Sequence, residues 1–179
     1  ETTDTVQEIL ENSGSKKMNS IIAVMVAVTA TVMAICNIKD GNIVQAMRQA
    51  QAHSIDAWSY FQSKSTKQAV AANTLEIIKL QKNEVADKLV QKYEKKIADY
   101  EKEKSELKTK AENYQKEYDA LNVFDDQFDM TEAFLSIAIA LFGVTALTQK
   151  KWLLVFAASL SLLGLVLGIT AFFKISLHS

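Results

Sequence analysis

The sequence predicts an all-α membrane protein: three transmembrane helices, with a long antiparallel helical hairpin (a coiled-coil stalk) between the first and second. Three observations predict it. Three apolar runs contain no Asp, Glu, Lys or Arg. The 179 residues include no proline and only five glycines, which disfavours a turn-rich β fold. Residues 39–132, between the first two runs, are dominated by Ala, Gln, Glu, Lys and Leu, all strong helix formers.

The first span is Met18–Ile38, 21 residues. At helical rise it measures about 32 Å, enough for a hydrocarbon core of about 30 Å. Lys16 and Lys17 precede it as a signal-peptide n-region would. The run is long for an h-region, however, and no small-x-small site closes it. Met33-Ala34-Ile35-Cys36 places Ile35 where a lipoprotein box needs a small residue. The expectation is a retained anchor. The second span, Ala133–Gln149, has 17 residues, the short limit; the third, Trp152–Phe173, has 22.

Lys16 and Lys17, before the first span, and Lys150 and Lys151, between the second and third, fall on one side of a three-span protein. The positive-inside rule makes that side cytoplasmic, and Trp152 beside the turn suits an interfacial anchor. The expected order is then a cytoplasmic N-terminal segment (1–17), span one (18–38), an extramembrane hairpin (39–132), span two (133–149), a cytoplasmic turn (150–151), span three (152–173) and a tail (174–179). In a bacterium the hairpin would be periplasmic. Its many lysines are no objection, because long domains translocate largely regardless of charge.

In residues 39–132 there is no glycine after Gly41. From Tyr93 the pattern is heptad. Tyr93, Tyr100, Leu107, Tyr114 and Leu121 form one seam position; Ile97, Lys104, Ala111 and Tyr118 form the other. Tyrosines and a lysine make this a weak seam, better suited to a hairpin partner than to a tight zipper. Glu84/Lys88, Glu106/Lys110 and Glu112/Lys116 are i, i+4 pairs in the favourable order. In the first half, Ile43, Met47, Ala50, Ala57, Phe61, Ala72, Leu75 and Ile78 recur at helical steps. Both ends must return to one membrane face, and Gln81-Lys82-Asn83-Glu84 is the expected reversal. A two-helix stalk has no closed core, so self-association is expected. Ala157, Ser161, Gly164 and Gly168 place small residues along span three, which suits helix packing either within a protomer or between protomers.

Site chemistry is sparse. The near balance of 20 Lys+Arg and 21 Asp+Glu argues against a nucleic-acid partner. A single cysteine excludes an intrachain disulfide framework and a cysteine-based zinc site. No phosphate-binding loop, HExxH or nucleophile elbow occurs, no span carries the charge that pumps and ion-coupled carriers normally need, and His53 and His178 lie far apart. No enzyme activity, cofactor or metal is expected. Cys36 reads as packing or as a cross-protomer disulfide. Two clusters remain. Asp125, Asp129 and Glu132, at i, i+4 and i+7 with Asp126 beside them, read as a solvated flank of span two or as a cation-attracting face. In the second reading, Thr29, Thr31, Ser136 and Thr145 supply the polar lining of the spans. Trp58, Tyr60 and Phe61 read as packing against the returning helix or as a partner surface.

Three stretches also carry a resemblance. They are DAWSYFQSKSTK (Asp56–Lys67), KYEKKIADYEKEKSELKTKAENY (Lys92–Tyr114) and LSIAIALFGVTALTQKKWLLVFAASLSLLGLVLG (Leu135–Gly168). Together they resemble the bacterial domain-of-unknown-function family 4337. Its members show a W-x-Y/F-Y/F-Q-x-K-x-x-K stretch, a charged helical middle and an ALTxRRW-like turn between two closing spans. Members usually carry more histidine and glutamate before span one, where residues 1–15 have only the acidic part. The resemblance implies a bacterial inner-membrane protein and no established activity, so no catalytic residue is carried over. Two functions are expected to compete. One is a self-associating scaffold or accessory subunit of a larger membrane complex, with lipid, further copies and other subunits as partners. The other is a small homo-oligomeric channel or transport component with an acidic ring at its outer mouth.

Overall fold

The computed structural model describes the backbone of residues 2–81 and 84–173, and the side chains of residues 14–81 and 84–173. The chain is all-helical. Helix α1 spans Thr2–Lys79, α2 spans Glu84–Thr148 and α3 spans Lys151–Phe172, with no strand among the described residues. Each helix contains a window long and apolar enough to cross a membrane. Without proline, nothing in α1 or α2 removes a backbone donor, so each runs unbroken through both polar and apolar sequence.

Helix α1 ends where Leu80 N donates to Ile77 O (3.3 Å) and Gln81 N to Ile78 O (2.9 Å), tightening the last turn. Helix α2 opens with Glu84 and Asp87, carboxylates that complement the positive helix N-terminus. Lys82 and Asn83, the middle of the expected reversal, lie outside the described residues, as do His178 and the tail from residue 174.

The chain divides into two compact units. The first comprises residues 1–44 and 121–179. Its core is Ile22 of α1, Ala138 and Phe142 of α2 and Ala157 of α3, with Met18, Met25, Val26, Leu141, Ala146, Leu154 and Leu160 packed against it. Several hydroxyls are on the inside with this core, and many large aliphatics are on the outside. Thr29, Thr131, Thr145 and Ser161 are buried, while Val24, Val155 and Leu162 are 63%, 66% and 62% exposed. Helices α2 and α3 are joined by Gln149 and Lys150. Gln149 adopts the left-handed conformation, φ 56°. Its N–H donates to Thr145 O at 2.8 Å, the bond that closes a helix whose next residue turns left-handed. Lys151 is therefore the first residue of α3 rather than part of the turn.

The second unit comprises residues 45–120. Buried or half-buried positions recur at alternating steps of three and four on both helices. On α1 they are Met47, Ala50, Ser54, Ala57, Phe61, Lys64, Gln68, Ala71, Leu75 and Ile78. On α2 all seam positions read from the sequence between Tyr93 and Tyr118 are half-buried or buried, with Ala111 fully enclosed. Ser54 Oγ donates to Ala111 O at 3.2 Å, and Lys79 pairs with Glu94 at 3.0 Å.

Candidate functional site

The acidic face belongs to the first unit. Helix α2 places Asp125, Asp129 and Glu132 on one side, and α1 adds Asp40, which sequence periodicity does not connect with them. Asp40 is half-buried and interacts with Asp125. Burial pushes the Asp40 pKa up to about 6, helped by the negative charges of Asp125, Asp129 and Glu132. Asp125 is also raised, by burial first and then by Asp129, while its interaction with Asp40 lowers it. Asp129 and Glu132 are exposed. Among the described residues no group of three or more His, Cys, Asp or Glu converges to hold a metal ion. The face thus sets two half-buried carboxyls with raised pKa beside exposed negative charge.

Each hydroxyl considered as a polar lining is occupied within the chain. Thr29 Oγ1 and Ser161 Oγ lie 2.8 Å apart. Thr31 donates to Ala27 O (2.8 Å), Thr145 to Leu141 O (2.7 Å), and Ser136 to Met33 Sδ (3.8 Å). Phe142 and Leu135 fill the interior beside them, both fully buried.

Ala157, Ser161, Gly164 and Gly168 are all buried, so this face of α3 is spent inside the chain. A Cβ on Gly164 would fall 2.6 Å from Leu135 Cδ2 and 3.2 Å from Phe134 Cβ. A Cβ on Gly168 would fall 3.0 Å from both Cys36 Sγ and Thr131 Cγ2. Cys36 is a buried free thiol facing that glycine.

In the second unit, Trp58 meets Phe61 edge-on, with centroids 5.4 Å apart. Phe61 is half-buried with Lys104 Nζ 5.6 Å above its ring, while Tyr60 stays exposed beside a shallow groove shared with Lys64 and Glu103. His53 stacks at a tilt on Tyr114, 5.1 Å between centroids. A polar cluster that the sequence pattern does not reveal lies next to the aromatics. Lys104 Nζ donates to Gln68 Oε1 (2.8 Å) and Glu101 Oε2 (3.2 Å), and Gln68 Nε2 donates to Glu101 Oε2 (2.7 Å). Gln68 and Lys104 hold the Glu101 carboxyl below its usual range, and Glu103, bound to Lys64, raises the Lys64 ammonium. Polar groups at seam positions fix register at some cost in stability.

Lys16, Lys17, Lys150, Lys151 and Trp152 are all exposed. The aromatic stretch, the charged middle and the α2–α3 turn are thus placed on one all-helical chain. The family described as domain of unknown function (DUF4337) matches residues 18–174. The chain belongs to that family. The match takes in α2 and α3 of this DUF4337 chain, α1 from residue 18 on, and the whole of its second unit. Neither comparison with curated proteins nor comparison with solved structures gives a match.

Proposed function

We propose that this DUF4337 chain is a non-enzymatic integral membrane protein of the bacterial inner membrane, acting as a self-associating scaffold or accessory subunit of a larger membrane complex. One observation carries the reading: the first unit is inverted relative to a water-soluble bundle. The hydroxyls of Thr29, Thr131, Thr145 and Ser161 are inside with Ile22, Leu135 and Phe142, and Val24, Val28, Val155, Phe156, Leu162, Leu163 and Ile169 are outside. In water that surface would demand burial; in hydrocarbon it needs none, and the interior hydroxyls are bonded to one another or to carbonyls of their own helix.

On this reading Lys16, Lys17, Lys150 and Lys151 face the cytoplasm, and residues 39–132 form the periplasmic hairpin. Pairings that run in opposite order along the two helices support an antiparallel coiled coil: Ser54 with Ala111, Lys64 with Glu103, Gln68 with Glu101, Lys79 with Glu94. Ile55, Val70 and Ile77, each about three-fifths exposed on α1, support self-association. The occupied hydroxyls and filled interior of the first unit favour the scaffold over the channel.

The test is mild extraction into native nanodiscs followed by mass measurement and identification of companions. Homo-oligomers, alone or with other membrane subunits, are expected. A monomer without companions, or a protein stripped from membranes by carbonate, would count against it. Reconstitution in planar bilayers separates the second reading: a cation current lost in Asp129→Asn would establish the channel instead.

A further inference from the structure

At the lysine end of the first unit, α1 and α3 leave an open groove of about 830 Å³. Lys17 and Lys151 stand on its two walls, and Met18, Ile21, Leu154 and Val155 supply its apolar surface. Among the described residues no carboxylate lines it, and the sequence has none in 14–38 or 133–173. Among the described residues neither lysine forms an ion pair.

The walls are tied together. Gln149 Nε2 donates to Asn19 Oδ1 at 2.8 Å and to Ala146 O at 2.6 Å, linking the α2–α3 turn to α1. Gln149 does this from the left-handed conformation, which a side chain other than glycine adopts at a cost of about 1 kcal/mol. The brace fixes the Lys17 side of the groove relative to the Lys151 side before any ligand arrives, which lowers the ordering cost of binding.

We propose that this groove is a binding site for an anionic phospholipid, with the phosphodiester between Lys17 and Lys151 and an acyl chain along Ile21, Leu154 and Val155. Two cations over an apolar trough complement one anionic head on one hydrocarbon tail. A soluble anion would leave the trough empty, and a zwitterionic lipid would bring a second cation to the lysines. The site rests on the membrane reading above, in which this end lies at the cytoplasmic headgroup level, where anionic lipids attract basic residues.

The chain has two tryptophans, so Trp58→Phe leaves Trp152, next to Lys151, as the sole reporter. The full-length variant is reconstituted in phosphatidylcholine vesicles with increasing spin-labelled phosphatidylglycerol, and then with spin-labelled phosphatidylcholine. Stronger quenching by phosphatidylglycerol is expected. Lys17→Gln with Lys151→Gln should reduce the preference about fivefold per lysine, while Lys16→Gln with Lys150→Gln, outside the groove, should leave most of it. Equal quenching by both lipids would overturn the site. So would equal losses from the two lysine pairs, which would mean diffuse surface attraction, or displacement by inorganic phosphate, which would mean a free-anion site. Failure to float with either vesicle would instead refute the membrane reading itself.

Discussion

Thr29 on α1 and Ser161 on α3 meet through a 2.8 Å hydrogen bond, with 2% and 4% of the residues exposed. If the proposed membrane location holds, neither hydroxyl has water as an alternative, but each retains its own helix carbonyl four residues back. The bond should therefore contribute modestly. Thr29→Val and Ser161→Ala are each expected to cost about 1 kcal/mol, and the double variant clearly less than the sum. Reversible unfolding in bilayer-mimicking micelles measures the cycle; strict additivity would show that the two side chains do not couple.

At Gly164 α3 lies close against α2. An added Cβ would be 2.6 Å from Leu135 Cδ2, and Leu135 is itself fully buried with little room to turn. Gly164→Ala should cost about 1–3 kcal/mol, and Leu135→Ala in the same chain should recover part of that despite its own cavity. Thermal unfolding of the two single variants and the double variant decides it. A neutral Gly164→Ala would mean the helices separate freely at this level.

The seam of the second unit is legible in the sequence of α2 and only half legible in that of α1, for a physical reason. On α2 the seam residues are tyrosines and aliphatics that stand out against Lys and Glu. On α1 the same alternating steps pass through Ser54, Lys64 and Gln68, which a hydropathy pattern counts as surface, and the periodicity points to Ala72 where Ala71 is the deeper residue. The three apolar runs are legible because a chain that folds in water seldom keeps so long a stretch free of charge. Asp40 is not joined to Asp125 by any sequence pattern, because only the packing of α1 on α2 makes them neighbours. A faint signal exists: Asp40 sits between buried Cys36 and Ile43 at steps of four and three, so it is a charge within a buried period.

The Gln68–Lys104–Glu101 cluster should specify alignment more than stability. Lys104→Met removes a half-buried ammonium and keeps the bulk over Phe61. We expect the second unit to change by no more than about 1 kcal/mol while register becomes looser. Disulfide trapping in a Cys36→Ala background reads this directly. Ser54→Cys with Ala111→Cys should cross-link in the parent, whereas Ser54→Cys with Tyr118→Cys, one heptad out of register, should appear only with Lys104→Met. Unchanged cross-linking would leave alignment to the apolar seam alone.

Asp40 makes stability depend on pH with a sign opposite to that of most carboxylates. Its pKa rises from 3.8 to about 6 in the folded chain, chiefly by burial and then by Asp125. Below 3.8 folded and unfolded chains are both protonated and the contribution is complete. As pH climbs towards 6 the unfolded chain releases its proton first, and stability falls until the folded group ionises as well. Asp125, shifted in the same direction, adds to the slope. Asp40→Asn keeps the shape of the side chain and removes its titration. It should flatten the dependence between pH 3.8 and 6 and stabilise the protein above that window. The gain is about 1 kcal/mol, the full linkage value reduced for solvent screening. Unfolding of parent and variant on either side of the window provides the measurement. A parent that gains stability as pH rises through it would mean that Asp40 is paired with a cation rather than with Asp125.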